Sequence, residues 1–242
     1  MNSASENGNS RPLYLKVRDQ LVERIRSWEW RPGQLIPNEF DIAKKHGVAQ
    51  GTARQALLVL ADENLLVRRQ GHGTTVFEHT PEQVLRRFFH LFDFRHRQIV
   101  PGSGKAKLVV AKASPEERKQ LRLGKSARVL RINRVRTRGG KPFVVETISV
   151  HEALFPSLAA GGDVPNTLYD VYQKSHRVHV VRADERITAV AAERPTAKLL
   201  GIAKGTPLLK IDSIAFALGD KPVEWRVSLC HMDMAYYLAH RK

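Results

Sequence analysis

The chain of 242 residues is 42% hydrophobic, contains a single cysteine and carries a formal net charge of +16. Its length allows one large domain or two ordinary ones, whereas the lone cysteine excludes a disulfide framework and a cysteine-rich zinc site, and no apolar run reaches the roughly 18 residues of a membrane-spanning helix. The positive charge indicates an anionic partner: nucleic acid, an acidic metabolite or a membrane surface.

Residues 1–11 are polar and lack the apolar segment of a secretory signal, so we expect a disordered tail on a cytoplasmic protein. The first predicted helix follows, with an apolar stripe at steps of three or four residues. The stripe consists of Tyr14, Val17, Leu21, Ile25 and Trp28. The Arg-Pro-Gly turn at 31–33 is expected to end this helix.

A second, short helix is predicted to begin after Asn38 and to stop at Gly47. The Asn38 side chain can accept hydrogen bonds from the unpaired N–H groups of a first helical turn. Gly47 suits the left-handed conformation that often follows a helix.

The third predicted helix spans about 50–64, and a hairpin follows it. The inward face of the helix is formed by Ala53, Ala56, Leu57 and Leu60. Short strands over 65–69 and 74–77 flank a connection with two glycines, which favours a tight turn. Three helices and a glycine-tipped hairpin form the plan of a winged helix-turn-helix.

Beyond residue 80 the periodicity changes to the alternation of half-buried strands. Strands are predicted over 106–112, 129–137, 143–150, 178–188, 207–218 and 223–232, and helices over 116–122, 167–173 and 195–200. The polar segment 78–83 is predicted to be a linker between domains at 12–77 and 84–242. The fold class is therefore α+β with two domains: an N-terminal winged helix-turn-helix and a C-terminal, mostly antiparallel sheet with helices.

The N-terminal domain carries side chains suited to a DNA duplex. A helix fits the major groove, where Gln can pair with adenine and Arg with guanine or phosphate. A hairpin tip with glycines lets the backbone approach the neighbouring groove wall. The candidate DNA-binding residues are Gln50, Gly51, Thr52 and Arg54 on the helix and Arg69, Gln70, Gly71 and His72 on the wing.

Residues 12–76 resemble the winged-helix domain of the gluconate-repressor (GntR) family. The resemblance rests on Pro12-Leu13-Tyr14, Pro32-Gly33, Pro37-Asn38-Glu39, Gly47-Val48, Arg54-Gln55-Ala56-Leu57 and the run from Arg68 to Thr74. It implies sequence-specific binding to duplex DNA. The chain departs from the family at Ala49 and Gln50, where Ser or Thr and then Arg are usual, and at Phe40, where a basic residue is usual, so we expect a different half-site or weaker binding.

Two arginines on one predicted strand indicate a second site. Arg134 and Arg136 are two residues apart, so both point to one face, and Glu146 lies on the next strand. Adjacent guanidinium groups need a compensating anion, either a ligand phosphate or carboxylate or Glu146 itself. Alternatively, both arginines are solvated surface residues in salt bridges.

The region 84–240 resembles the UTRA ligand-sensing domain of the HutC-like branch of the same family. Matching stretches include 131–136, Gly140-Lys141-Pro142, 166–170, 200–209 and Lys221-Pro222-Val223-Glu224. The resemblance implies an anionic effector bound by Arg134, Arg136, Glu146 and Glu224, with Thr167 as a further candidate. The segment His90-Leu91-Phe92-Asp93-Phe94 replaces the phosphate-binding Ser-Thr turn of sugar-phosphate sensors, so a small carboxylate or aromatic acid is an equally good effector.

The sequence therefore predicts a homodimeric, ligand-responsive transcriptional repressor that binds an inverted-repeat operator and is released by a small anionic metabolite. No catalytic residue, metal site, cofactor or membrane contact is predicted. One alternative is an enzyme, since the UTRA domain resembles the chorismate lyase fold. Another is a non-specific nucleic-acid binder whose contact surface is residues 86–141, with 17 basic and 3 acidic side chains.

Overall fold

The computed structural model of the protein describes residues 11–104, 106–158, 164–233 and 235–239. Its chain divides into two compact units, one ending at Glu78 and the next beginning at His79. The predicted N-terminal tail lies outside the described residues, apart from Arg11. Within the described ranges, none of the helices combines the length and hydropathy that crossing a bilayer requires.

The first unit has three helices and a two-stranded hairpin. The helices are α1 (Leu13–Arg26), α2 (Glu39–His46) and α3 (Gln50–Asp62), and the strands are β1 (Leu66–Arg69) and β2 (Gly73–Val76). Val17, Leu21 and Ile25 of α1 are buried, as is the predicted inward face of α3. The predicted winged helix-turn-helix is thus confirmed.

The first helix ends earlier than predicted. It stops at Arg26, because Trp28 takes a left-handed backbone conformation, with φ of 64°. Trp28 is only half-buried, and the buried aromatic residue is Trp30, whose backbone N–H donates to the carbonyl of Arg24 at 3.0 Å. The apolar stripe therefore contributes its middle positions to the core, and its last member belongs to a turn.

The predicted ends of α2 are confirmed. The Asn38 side chain accepts hydrogen bonds from the backbone N–H groups of Phe40 and Asp41 at 2.9 and 3.0 Å. Gly47 is left-handed, with φ of 61°. By contrast, Ala49 stands at the N-cap of α3 and offers no side-chain acceptor.

Ala49→Ser is expected to stabilise the first unit by about 1 kcal/mol, since Ala49 already has the extended backbone of an N-cap residue. The free energy of unfolding from chemical denaturation of the full chain measures the effect. Asn38→Ala is the matched control, with an expected loss of similar size. An Ala49→Ser variant no more stable than the parent would show that the introduced hydroxyl does not reach the first turn of α3.

The second unit combines β-strands with short helices. Its helices are α4 (Pro81–Phe88), α5 (Pro115–Gln120), α6 (Tyr169–His176) and α7 (Arg194–Leu200), with a 3-10 turn at Glu152–Leu154. Its strands are β3 (Leu91–Asp93), β4 (Gly102–Ser103), β5 (Lys107–Lys112), β6 (Arg128–Arg138), β7 (Lys141–His151), β8 (Val180–Ala191), β9 (Pro207–Ala217), β10 (Lys221–Cys230) and β11 (Ala235–Tyr237).

The main sheet is antiparallel and has the strand order β4-β6-β7-β10-β9-β8, with β5 also paired to β6. Strands β3 and β11 form a separate two-stranded ribbon. The largest apolar cluster of this unit contains Ile132, Ile148 and Val150 from the sheet and Tyr172 of α6. The predicted C-terminal antiparallel sheet is confirmed.

The segment 78–83, predicted as a linker, is ordered at its C-terminal end. The His79 side chain is fully buried, and its Nε2 donates to the carbonyl of Val180 at 2.9 Å. The Thr80 hydroxyl caps α4 by accepting from the backbone N–H of Gln83, and Pro81 occupies the first turn. The polar and proline residues that suggested a linker therefore start a helix, which the sequence analysis missed.

A carboxylate on the outer face of the sheet joins α5 to β6 and β7. Glu117 forms a capping box with Ser114, receives hydrogen bonds from Arg131 at 2.6 and 2.7 Å, and accepts from the Ser149 hydroxyl at 2.8 Å. Burial alone would raise the pKa of Glu117, but these hydrogen bonds outweigh burial and lower the pKa to about 2.

Because the pKa of Glu117 is lower in the folded chain than the 4.5 of an ordinary glutamate, its stabilising contribution is complete above about pH 5 and is lost as pH falls towards 2. Thermal unfolding between pH 6 and pH 3 should show the parent losing this increment, whereas Glu117→Gln lacks it at every pH. The difference in melting temperature between the two should therefore shrink on acidification. A constant difference would contradict the assignment.

Candidate nucleic-acid interface and buried ligand cavity

The start of α3 exposes the side chains predicted to reach a duplex. Gln50, Gly51 and Arg54 are exposed and Thr52 is half-buried. Within the described residues, Arg54 forms no ion pair or hydrogen bond, so its guanidinium is available to a base edge or a phosphate. Gln50 donates from Nε2 to the Glu39 carboxylate at 3.0 Å, and no described residue engages its side-chain oxygen.

The wing tip is a tight turn of exposed residues. Arg69 is paired with Gly73, and Gln70, Gly71 and His72 lie between them, all exposed. Gly71 has φ of 75°, and beyond its own chain neighbours no atom of the described residues lies within 4 Å of the position that a β-carbon would take. Here glycine permits the left-handed turn and leaves the tip narrow.

Glu39 links the two parts of this surface and was not among the predicted DNA-binding residues. Besides Gln50, its carboxylate lies 3.9 Å from the Arg68 guanidinium on β1. Glu39 thus positions a residue of the helix and a residue of the wing. In the sequence, Glu39 directly follows the Asn38 cap, and this position indicated only a favourable interaction of its carboxylate with the helix dipole.

A cavity lies on the inner face of the main sheet, between the sheet and α4 with the segments 88–91 and 166–169. Its volume is about 60 Å³. The polar side chains of its lining include His90, Arg134, Arg136, Glu146, Asn166, Thr167, Glu185, Ser213, Arg226, Ser228 and Tyr237. Apolar lining comes from residues such as Phe88, Leu91, Val144, Tyr169 and Ile211.

Glu146 is the centre of an ion cluster in the cavity wall. Arg134 donates from Nε to its carboxylate at 2.7 Å, and guanidinium nitrogens of Arg136 and Arg226 lie 3.6 and 3.7 Å from it. Burial would raise the pKa of Glu146, but the three arginines together lower it to about 2. Arg134 and Arg136 are only 3% and 2% exposed, so the hypothesis of solvated surface arginines is wrong.

The two β6 arginines are further held by the loop before α6. Arg134 donates to the carbonyl of Pro165 at 2.9 Å, and Arg136 donates to the carbonyl and side-chain oxygen of Asn166 at 3.0 and 2.8 Å. The Nε of Arg136 is buried and has no hydrogen-bond partner among the described residues. Burial lowers the pKa of Arg136 to about 10, which leaves the group charged at neutral pH.

Glu224 was predicted to line the effector pocket, but it is not among the lining residues. It is 1% exposed and accepts hydrogen bonds from Tyr169 at 3.2 Å, Tyr172 at 2.7 Å and Arg226 at 2.9 Å. Because these donors surround its carboxylate, Glu224 neutralises Arg226 from behind the cavity. Thr167 does line the cavity, and its hydroxyl donates to Asp170 at 3.0 Å.

Sequence reasoning missed Arg226, Ser228, Ser213 and Glu185. Strand register brings them to the face of Arg134 and Glu146, since Ser228 pairs with Glu146, and Ser213 pairs with both Arg226 and Glu185. The alternation of Glu224, Arg226 and Ser228 on one strand was the available signal. It gained meaning only once the order of the strands was known.

The comparisons with known proteins match both parts of the chain. The family model of bacterial regulatory proteins of the gntR family matches residues 13–76, and the UTRA domain model matches residues 96–235. The HTH-type transcriptional repressor NagR of Bacillus subtilis is 29% identical over 201 residues, which cover 83% of this chain and 82% of that protein.

Two further proteins are similar over nearly the whole chain. The mannosyl-D-glycerate transport/metabolism system repressor MngR of Escherichia coli is 28% identical over 227 residues, 92% of this chain and 93% of that protein. The crystal structure of PhnF from Mycobacterium smegmatis matches with a TM-score of 0.55 at 23% identity, covering 93% of this chain and 100% of that one. The latter similarity is one of fold.

Proposed function

Because the chain belongs to the GntR family of regulatory proteins and carries a UTRA domain, it is a ligand-responsive, DNA-binding transcriptional repressor, and we propose that a small anionic metabolite in the cavity releases it from its operator. We further propose that it is of the HutC-like type and acts as a homodimer in the cytoplasm, on an inverted-repeat operator.

The DNA contacts that we propose follow from exposure and chemistry. Gln50, Thr52 and Arg54 at the start of α3 are suited to base edges and phosphates of the major groove, with Gly51 allowing close approach. Arg69, Gln70, Gly71 and His72 are suited to the adjacent groove. Residues 1–80 hold 11 basic and 9 acidic side chains, so affinity depends on specific contacts more than on bulk attraction.

The observation that carries the anionic effector is the charge balance around Glu146. Three buried or half-buried arginines meet two carboxylates, Glu146 and Glu224, which leaves a formal charge of +1 at this end of the cavity. The Nε of Arg136, which none of the residues in the described ranges engages, adds an unsatisfied donor. A carboxylate or phosphate would supply both the missing charge and an acceptor.

Release is proposed to occur by a shift in population. An effector that binds one arrangement of the two units better than another favours that arrangement, and the two winged helices of a dimer then no longer match the spacing of the half-sites. A two-fold axis in the protein would mirror an inverted repeat in the DNA.

The test is a thermal-shift screen of small carboxylic acids and sugar phosphates on the full chain, repeated with Arg134→Ala. An effector present at 100 times its Kd should stabilise the parent by about 2.7 kcal/mol and the variant much less. The same compound should release the parent from operator DNA in a gel shift. Anions that stabilise both proteins equally, or none that stabilises the parent, would contradict the proposed site.

Neither alternative from the sequence gains support, since the curated relatives are transcriptional repressors. The arginines that the structure describes in the basic segment 86–141 also do not all lie free at the surface. Arg134 and Arg136 are buried, and others pair with acids, as Arg97 does with Asp93 and Arg128 with Glu152. Much of its charge is therefore used within the second unit.

A further inference from the structure

The cavity has a second charged end, opposite the arginines of β6. Glu185 lies on β8 and is paired with Ser213 of β9, which in turn is paired with Arg226 of β10. Neighbouring strands are about 4.8 Å apart, so the backbones at Glu185 and Arg226 are separated by roughly 10 Å. The cavity lining therefore runs across the sheet from guanidinium groups to a carboxylate.

Several contacts show that Glu185 faces the cavity. It belongs to the lining, and its carboxylate accepts a hydrogen bond from the Tyr237 hydroxyl of β11. The pKa of the buried Cys230 thiol, also in the lining, is raised first by burial and then by Glu146 and Glu185. The lining thus includes Glu146, Glu185 and the buried Cys230.

Glu185 differs from the other two carboxylates of this region. Glu146 and Glu224 each form ion pairs with arginine guanidinium groups. Across the described ranges, no lysine or arginine forms an ion pair with Glu185, although Arg87, Arg182 and His90 stand at the open rim beside it. If the rim residues are left aside, Glu185 raises the number of carboxylates to three against three arginines, and the excess positive charge is confined to the arginine end of the cavity.

We infer that the ligand of this cavity is an ampholyte, with an anionic group at the Arg134–Arg136–Arg226 end and a protonated amine at Glu185. This inference rests on the proposed function of the cavity as an effector site. An ionised carboxylate only accepts hydrogen bonds, so it favours a ligand group with several donors, and an ammonium supplies both donors and charge. Ser213 and Ser228 lie between the two ends as partners for polar groups of the ligand.

Four probes of equal chain length separate the possibilities: 6-aminohexanoate, 6-hydroxyhexanoate, hexanoate and hexylamine. Binding to the full chain is measured by calorimetric titration and by thermal shift. We expect 6-aminohexanoate to bind at least ten times more tightly than hexanoate, and hexylamine to bind most weakly. Glu185→Gln should reduce the preference for the amino acid over hexanoate to less than twofold.

Asp184→Asn is the matched control, because Asp184 is the exposed neighbour of Glu185 on the same strand and is absent from the lining. It should leave the preference unchanged. Equal binding of 6-aminohexanoate and hexanoate would overturn the ampholyte while leaving an anionic effector in place. Equal binding of 6-aminohexanoate and 6-hydroxyhexanoate would overturn the protonated amine and indicate a hydroxyl group at Glu185 instead. If none of the four probes bound, the inference would also be overturned. If the proposed function itself were wrong, the screen described under Proposed function would show it, because no anion would then release the protein from operator DNA.

Discussion

Arg54→Ala is expected to lower operator affinity by about 30-fold or more. An arginine that pairs with guanine contributes roughly 1–3 kcal/mol per site, and an operator bound by two copies loses this contribution twice. Since the Arg54 side chain is exposed and forms no ion pair in the described part of the chain, its removal should not unfold the first unit. Affinity is measured by fluorescence anisotropy on a duplex selected from a random pool with the parent protein.

Arg26→Ala provides the control for this experiment. Arg26 is also exposed, at the end of α1, and forms a surface pair with Glu23. It should reduce binding little, because an exposed arginine away from α3 and the wing contributes at most general attraction. If Arg54→Ala bound the selected duplex as tightly as the parent, the assignment of α3 as the recognition helix would be wrong.

Local chemistry explains which parts of the first unit could be predicted from sequence. The Asn38 cap, the Gly47 end and the tight wing turn depend on residues within a few positions of one another, and the structure confirms them. The end of α1 was placed too late, because Trp28 continues the helical spacing although its backbone is left-handed. Periodicity cannot detect such a residue.

The cavity shows where sequence reasoning stops. The spacing of Arg134 and Arg136 on one strand places them on a common face. Glu146 could be placed beside them because it lies on the next strand of the same hairpin. Arg226 and Glu185 join them only through the strand order of the sheet, which connects residues many positions apart. The contacts of Glu224 also depend on distant parts of the chain, since Tyr169 and Tyr172 of α6 donate hydrogen bonds to its carboxylate.

Glu146→Gln is expected to destabilise the second unit strongly. It removes the carboxylate that three guanidinium groups share, and breaking a buried ion pair by removing one partner costs about 3–5 kcal/mol. For a chain of this size, about 2–4 °C of melting temperature is lost per kcal/mol, so a decrease of roughly 6–20 °C should appear in thermal unfolding.

Glu152→Gln is the control, because it breaks the exposed pair with Arg128 and should cost less than about 1 kcal/mol. The double variant Glu146→Gln, Arg134→Met then tests the reason for the loss. If the cost comes from stranded positive charge, removing Arg134 should cost much less in the Glu146→Gln background than in the parent, since the charge that Glu146 neutralised is gone as well. Additive losses would mean that Glu146 stabilises the sheet through its packing, and the excess positive charge beside the cavity would then no longer support an anionic effector.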